Sequence, residues 1–231
     1  MTGLAEQFRA VEGRIAAACA RAGRDPASVR LLPVTKTQPA AVVRAAAALG
    51  YRAFGENRVQ ELVAKQAALA EVPGLEWVVI GHLQTNKAKP AARHARAVQS
   101  LESLKLAKAL QSACEELDRT LDVLIEVNTS GEDSKFGLVP ADVIVFAKEL
   151  RAFDRLRPLG LMTLALPSDD PALVAPCFKT LAAVQTQLRY RDGEGWDELS
   201  MGMSGDFELA VELGSTCVRV GTALFGARAA G

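Results

Sequence analysis

The chain has 231 residues, is 49% hydrophobic, and carries 27 basic against 27 acidic side chains, for a formal net charge of zero. This balance argues against wholesale nucleic-acid or membrane-surface electrostatics, and no apolar run approaches the ~18 residues of a membrane span. Four scattered cysteines (Cys19, Cys114, Cys177, Cys217) and only two histidines, His82 and His94, argue against a disulfide framework and against a metal site. Reduced thiols, and the lack of an apolar signal core in residues 1–30, predict a cytoplasmic protein.

Leu4, Phe8, Val11, Ile15, Cys19 and Ala22 recur at spacings of three and four, which predicts an amphipathic helix over residues 3–22, ended by Gly23 and Asp25-Pro26. Val29 to Lys36 is a short apolar strand ending in a lysine. Pro39 opens a helix that runs to about Leu49 and closes at Gly50. The unit then repeats. Arg52 to Phe54 is a strand, Gly55-Glu56-Asn57 a loop, and Val59, Leu62, Val63 and Leu69 a helical stripe. Glu76 to Ile80 is a strand followed by the loop Gly81 to Asn86 and a short helix to about Ala95. Ala97 to Gln99 reads as a weak strand, and Leu104, Ala107, Leu110, Cys114 and Leu117 as a helix with Ser103 at its cap. Leu121 to Val127 is the clearest strand; a polar loop, residues 128–137, and a helix from Pro140 to Leu150 follow. Leu156 to Met162 is the sixth strand, and Asp170-Pro171 caps a helix through Leu188. Two short strands remain, Leu199 to Met201 and Cys217 to Val220, with a helix opening between them at about Asp206.

Eight strands alternate with helices, which implies a parallel sheet with helical crossovers. Eight units in a chain of this length predict one closed (β/α)8 barrel, residues 1–231, with the first helix as an extra N-terminal cover and no length left for a second domain. The C-terminal ends of the strands would converge on one face, bringing together Lys36, Asn57, Gln84, Asn86, Asn128, Lys135, Thr163, Ser204, Gly205, Arg219, Gly221 and Thr222. Phosphates in such barrels often lie between the loops after strands seven and eight. Those loops here are Gly202-Met203-Ser204-Gly205 and Gly221-Thr222, whose glycines let backbone N–H groups approach a ligand and whose hydroxyls add donors.

Lys36 ends the apolar strand Leu31 to Thr35, where desolvation would favour a reactive free amine. A lysine and a phosphate cup on one face suggest a Schiff base to a phosphorylated carbonyl compound; a solvated strand-end lysine is the plainer reading. Alternation turns Arg219 away from Val218 and Val220, either into the barrel or outward between helices. Ser204 and Asn57 are also read as plain helix caps, His82 as a satisfied loop histidine, and Met201 and Met203 as packing. Lys135 is either solvated or a mobile lysine above the site.

Pro33-Val-Thr-Lys36, Phe54-Gly-Glu-Asn-Arg-Val-Gln-Glu61, Ile80-Gly-His-Leu-Gln-Thr-Asn-Lys87, Val127-Asn-Thr-Ser-Gly-Glu-Asp-Ser-Lys-Phe-Gly137, Gly160-Leu-Met-Thr163 and the stretch Leu199 to Gly226 occur in that order. The set, spanning nearly the whole chain, resembles the pyridoxal-phosphate homeostasis protein family (YggS or PROSC proteins). The resemblance implies a fold-type III barrel like the N-terminal domain of alanine racemase, with pyridoxal 5′-phosphate held covalently on Lys36. It implies that Ser204, Gly205, Gly221 and Thr222 hold the phosphate, that Arg219 faces the pyridine nitrogen, and that Asn57 lies beside the ring. The family usually has a histidine where this chain has Val78, so any role for that histidine is in doubt here.

Three functions are then in view. The first is a non-catalytic carrier involved in pyridoxal phosphate homeostasis, buffering the aldehyde and delivering it to apo-enzymes. The second is an amino-acid racemase, which needs acid–base groups on both faces of the α-carbon; Tyr51 and Tyr190, the only tyrosines, are placed away from the site. The third is a Schiff-base aldolase without a cofactor. Lacking a second domain, the protein is expected to be a monomer.

Overall fold

The computed structural model describes residues 2–132, 136–193 and 195–226. Eight strands are present: β1 (Arg30–Pro33), β2 (Ala53–Glu56), β3 (Glu76–Val79), β4 (Ala97–Leu101), β5 (Leu121–Glu126), β6 (Leu156–Met162), β7 (Glu198–Ser200) and β8 (Cys217–Val220). All pair in parallel in the order β1-β8-β7-β6-β5-β4-β3-β2. A parallel bridge from Val34 to Gly55 joins the first and last members, so the sheet closes into a barrel.

The helices of the described residues are α1 (Thr2–Arg21), α2 (Ala40–Ala48), α3 (Val59–Ala68), α4 (Ala88–His94), α5 (Leu104–Glu116), α6 (Val143–Leu150), α7 (Pro171–Asp192), α8 (Phe207–Glu212) and α9 (Thr222–Phe225). Each strand is thus followed by a helix, the eighth by a single turn. Two expected caps form: Ser103 Oγ accepts the Leu106 N–H at 3.2 Å, and Asp170 Oδ1 accepts the Ala172 N–H at 2.9 Å. The strand expected to be weak, β4, is five residues long and buried throughout. Its alternation is masked because both faces are covered, as in any barrel strand.

Most of the core lies between the strands and the helical ring, where Val79, Val98, Val123, Ile125, Val218 and Val220 meet helix residues such as Leu62, Leu110, Phe178 and Phe207. Inside the barrel is a smaller apolar cluster of Leu32, Val78, Ala97 and Cys217. Val78, at the position where the family carries histidine, is a packing residue of this inner cluster. The four cysteines are free and buried. The extra helix α1 packs outside, on α8, α9 and α2. Phe8 stacks against Tyr51 with ring centroids 4.2 Å apart, and Arg14 and Arg21 pair with Glu208 and Glu212, each at 2.6 Å.

Candidate functional site

A cavity of about 510 Å³ opens at the C-terminal ends of the strands. Lys36, Asn57, Ser204, Gly205, Arg219, Gly221 and Thr222 all line it. The seven residues come from both ends of the chain, which the pairing of β1 with β8 and the closing bridge from Val34 to Gly55 bring together.

Lys36 follows β1 and is half-buried. Its neighbours are anchored on both sides. Thr35 is fully buried, gives its N–H to the Gly55 carbonyl at 3.0 Å and its hydroxyl to Glu56 Oε1 at 2.6 Å. Thr37 sits in the left-handed region at φ 65°, with its N–H on Glu61 Oε1 at 2.5 Å. A β-branched residue there is strained, and such strain persists only where the surroundings enforce it. Lys65, buried on α3, ties both sides together: Nζ donates to the Thr35 carbonyl (2.5 Å), Glu56 Oε1 (2.6 Å) and Glu61 Oε1 (2.7 Å). Burial still pushes the Glu56 carboxyl above its ordinary range, against these bonds.

Asn57 does not cap α3; the capping position is Arg58, and no side chain caps there. Its place is set by Gly81, where an added Cβ would come within 2.6 Å of the Asn57 carbonyl oxygen. Only glycine lets the loop after β3 lie this close.

Arg219 points into the barrel, as alternation with the outward Val218 and Val220 allows. It is 3% exposed. Nη1 donates to the Ser200 carbonyl at 2.6 Å and to Ser200 Oγ at 2.8 Å, and Nη2 donates to the Thr163 carbonyl at 2.7 Å. Ser200 Oγ in turn donates to Gln99 Oε1 at 2.7 Å. Neutral groups therefore fix two guanidinium nitrogens, and Nε has no hydrogen bond among the described residues. Burial lowers the Arg219 pKa most strongly, while Cys217, Glu126 and Asp206 draw it back up.

The two loops of the cup are joined. Ser204 Oγ accepts the Ala223 N–H at 3.2 Å, so Ser204 caps the turn after β8 and not α8, the helix that follows it. Gly202, at φ 95°, has no space for a Cβ, which would fall 2.6 Å from Ala210. Asp206 Oδ1 accepts the Met203 N–H at 2.5 Å and fixes the intervening turn. Only Met201 is a packing residue; Met203 is 38% exposed and lines the cavity mouth with Phe136 and Leu164.

Gln84 and Asn128 are not among the residues that line this cavity, whereas His82 is. Gln84 lines a neighbouring one with Arg58 and Lys87. Asn128 turns back to its own loop, Nδ2 donating to the Glu132 carbonyl at 2.8 Å. Lys135 lies outside the described residues. His82 is satisfied as a loop histidine: Nδ1 is 2.8 Å from Glu102 Oε1, and the ring stacks on Phe136 at 3.8 Å.

Among the ionisable residues that line the cavity, Glu126 is the one that strand-end counting did not single out. Glu126 ends β5 and is 5% exposed, and its Oε2 has no hydrogen-bond partner among the described residues. Burial and the nearby Glu102 push its carboxyl up to about 7, against the pull of Arg219. Its signal was an acid closing β5, in period-two register with Asp122 and Leu124.

Comparison with known proteins bears on the family and the fold. The family described as "Alanine racemase, N-terminal domain" matches residues 8–229. A relative from Pseudomonas aeruginosa named "Pyridoxal phosphate homeostasis protein" is 45% identical over 228 residues, 99% of this chain and 97% of its own. The structure of PipY from Synechococcus elongatus PCC7942 with PLP bound superposes with a TM-score of 0.83 at 38% identity, covering 94% of this chain and 100% of that one. Alanine racemase from Clostridium difficile 630 superposes with a TM-score of 0.78 at 13% identity, covering 100% of this chain and 58% of that one, a likeness of fold alone. Nearly full-length identity at this level, on this barrel, means that the chain belongs to the pyridoxal phosphate homeostasis protein family, on the alanine racemase N-terminal fold.

Proposed function

We propose that the protein binds pyridoxal 5′-phosphate in the barrel-mouth cavity and serves as a non-catalytic carrier in intracellular homeostasis of that cofactor, with Lys36 as its covalent attachment point. The observation that carries this reading is Arg219. It is 3% exposed, is held through both terminal nitrogens by Ser200 and Thr163, and lines the cavity together with Lys36 and the two small-residue loops. A cavity of about 510 Å³ is of the size that holds a small organic ligand.

The residues present fit the group. Ser204 and Thr222 offer hydroxyls, and Gly205 and Gly221 offer backbone close to a phosphate. Arg219 would face the ring nitrogen, and Asn57 would lie beside the ring. When bound, the cofactor supplies a reactive aldehyde and an electron-accepting pyridine ring. An arginine there would stay protonated and would offer the ring nitrogen a hydrogen bond without a proton. The ring is then a poor electron sink, which suits storage better than catalysis.

Racemisation would need a second acid–base group opposite Lys36. Tyr51 is bonded to Glu12 on α1, and Tyr190 is 90% exposed on α7; neither lines the cavity. The carrier reading takes the protein as a cytoplasmic monomer that gives up its cofactor to apo-enzymes.

The test is borohydride reduction of protein loaded with pyridoxal phosphate, followed by peptide mapping. The expected label is on Lys36, and Lys36→Ala should lose the visible colour. A label on another lysine, with colour retained in Lys36→Ala, would move the attachment point. Sustained α-proton exchange from L-amino acids would sink the carrier reading. Transfer to an apo-transaminase faster than simple release supports delivery; equal rates reduce the role to buffering.

A further inference from the structure

Glu126 and Lys36 both line the cavity, at the ends of β5 and β1, which lie four strands apart around the barrel. The Glu126 side chain is 95% removed from solvent, being 5% exposed, and its Oε2 is unpartnered among the described residues. A buried polar atom left without a partner costs free energy and needs a reason. The nearest acid makes it harder to explain as structural: Glu102 is held close by His82 at 2.8 Å and by the Gly137 N–H at 3.2 Å. Glu102 acts on Glu126 as a like charge.

We propose that Glu126 is a specificity residue of this cavity, one that turns away amines bearing a carboxylate beside the nitrogen and admits amines without one, such as a protein lysine or a small alkylamine. The proposal rests on the pyridoxal phosphate reading of the site. To take the cofactor from Lys36, an amine must enter the same cavity. The exchange is balanced: its nitrogen replaces Lys36 Nζ on the aldehyde carbon, the two hydrogens of the incoming neutral amine pass to Lys36 Nζ, and no oxidant or water is consumed. An α-amino acid brings a carboxylate with it. Among the described lining residues the basic side chains besides His82 are Lys36, which the cofactor would engage, and Arg219, held through two nitrogens by Ser200 and Thr163. The incoming anion would instead meet Glu126. Like charges a few ångströms apart in a partly desolvated site cost enough to decide entry.

The charged groups facing Glu126 are Glu102 from the loop after β4 and Arg219 from β8, with Lys36 from β1 and His82 from the loop after β3 in the same cavity. Burial and Glu102 raise the carboxyl to about 7. Rejection is therefore weak below that pH, where Glu126 is neutral, and grows above it.

The experiment uses protein loaded with pyridoxal phosphate and matched amines, glycine against glycinamide and L-alanine against L-alaninamide, at equal concentrations of unprotonated amine. Cofactor lost from the protein is measured after desalting, at about pH 6 and about pH 8.5, on either side of the Glu126 transition. The amide is expected to strip the cofactor roughly tenfold faster than the acid, or more, at the higher pH. The gap should narrow at the lower pH and fall to about twofold in Glu126→Gln, while Glu126→Asp, which keeps the charge, should retain it. Equal loss to acid and amide in the wild type at both pH values overturns the proposal. So does an undiminished gap in Glu126→Gln, or a gap lost in Glu126→Asp should the Gln variant not fold. Glu126-dependent α-proton exchange from L-alanine would overturn it as well, by making Glu126 an acid–base group. Protein that shows no cofactor absorbance before any amine is added fails the parent reading, and this one with it.

Discussion

Lys65 Nζ lies 2.6 Å from Glu56 Oε1, an ion pair whose side chains are 7% and 0% exposed. The same ammonium holds the Thr35 carbonyl and, through Glu61, the strained Thr37 N–H, so it brackets Lys36 from below. Lys65→Met leaves a buried carboxylate with no cation. Breaking such a pair from one side is expected to cost about 3–5 kcal/mol, read as a lowered urea midpoint. Replacing both partners, as in Glu56→Leu with Lys65→Met, should recover much of that loss. If the single variant is as stable as the wild type, the network is dispensable and does not position Lys36.

Ser204 serves two elements. Its hydroxyl takes the Ala223 N–H at 3.2 Å, and it lines the cavity where a phosphate would sit. A hydrogen bond to a charged group is worth about 1.5–3 kcal/mol. Ser204→Ala should therefore weaken pyridoxal phosphate binding by roughly tenfold to a hundredfold in a spectral titration. The Ala223 bond is only half-buried, so the cofactor-free variant should lose no more than about 1 kcal/mol of stability. A variant with unchanged affinity would place the phosphate elsewhere.

These residues differ in how visible they are to a reader of the sequence. Lys36, Asn57 and Arg219 sit at or beside strand ends, so counting strands brought them to one end of the barrel; alternation left Arg219 inward or outward, and the structure turns it inward to line the cavity. Glycine-rich loops announce themselves in the same way. Lys65 does not, because a lysine in an amphipathic helix is normally solvated; its burial depends on Glu56 and Thr35 arriving from two other elements. The Ser200–Gln99 bond that supports Arg219 joins residues 101 positions apart, and no local pattern encodes it. Ser204 misled for a related reason: the helix it caps is not its own but the one after the next strand. The positive φ of Thr37 is imposed from outside by Glu61 and leaves no mark on its residue type.

Glu126 should also govern how the stability of the cofactor-free protein varies with pH. Its folded-state value of about 7 lies above the ordinary 4.5. The folded protein keeps a proton that the unfolded chain gives up. The stabilisation from this group is complete below about pH 4.5 and is lost as pH rises through about 7. The wild type should thus forfeit up to about 3 kcal/mol from this source between the two limits. Glu126→Gln, which cannot ionise, should lack that component. Urea midpoints of the two proteins, followed from about pH 5 to about pH 8, should diverge in favour of the variant as pH rises. A difference that stays flat across the range would mean that Glu126 ionises like an ordinary carboxyl, and the predicted pH dependence of amine discrimination would fall with it.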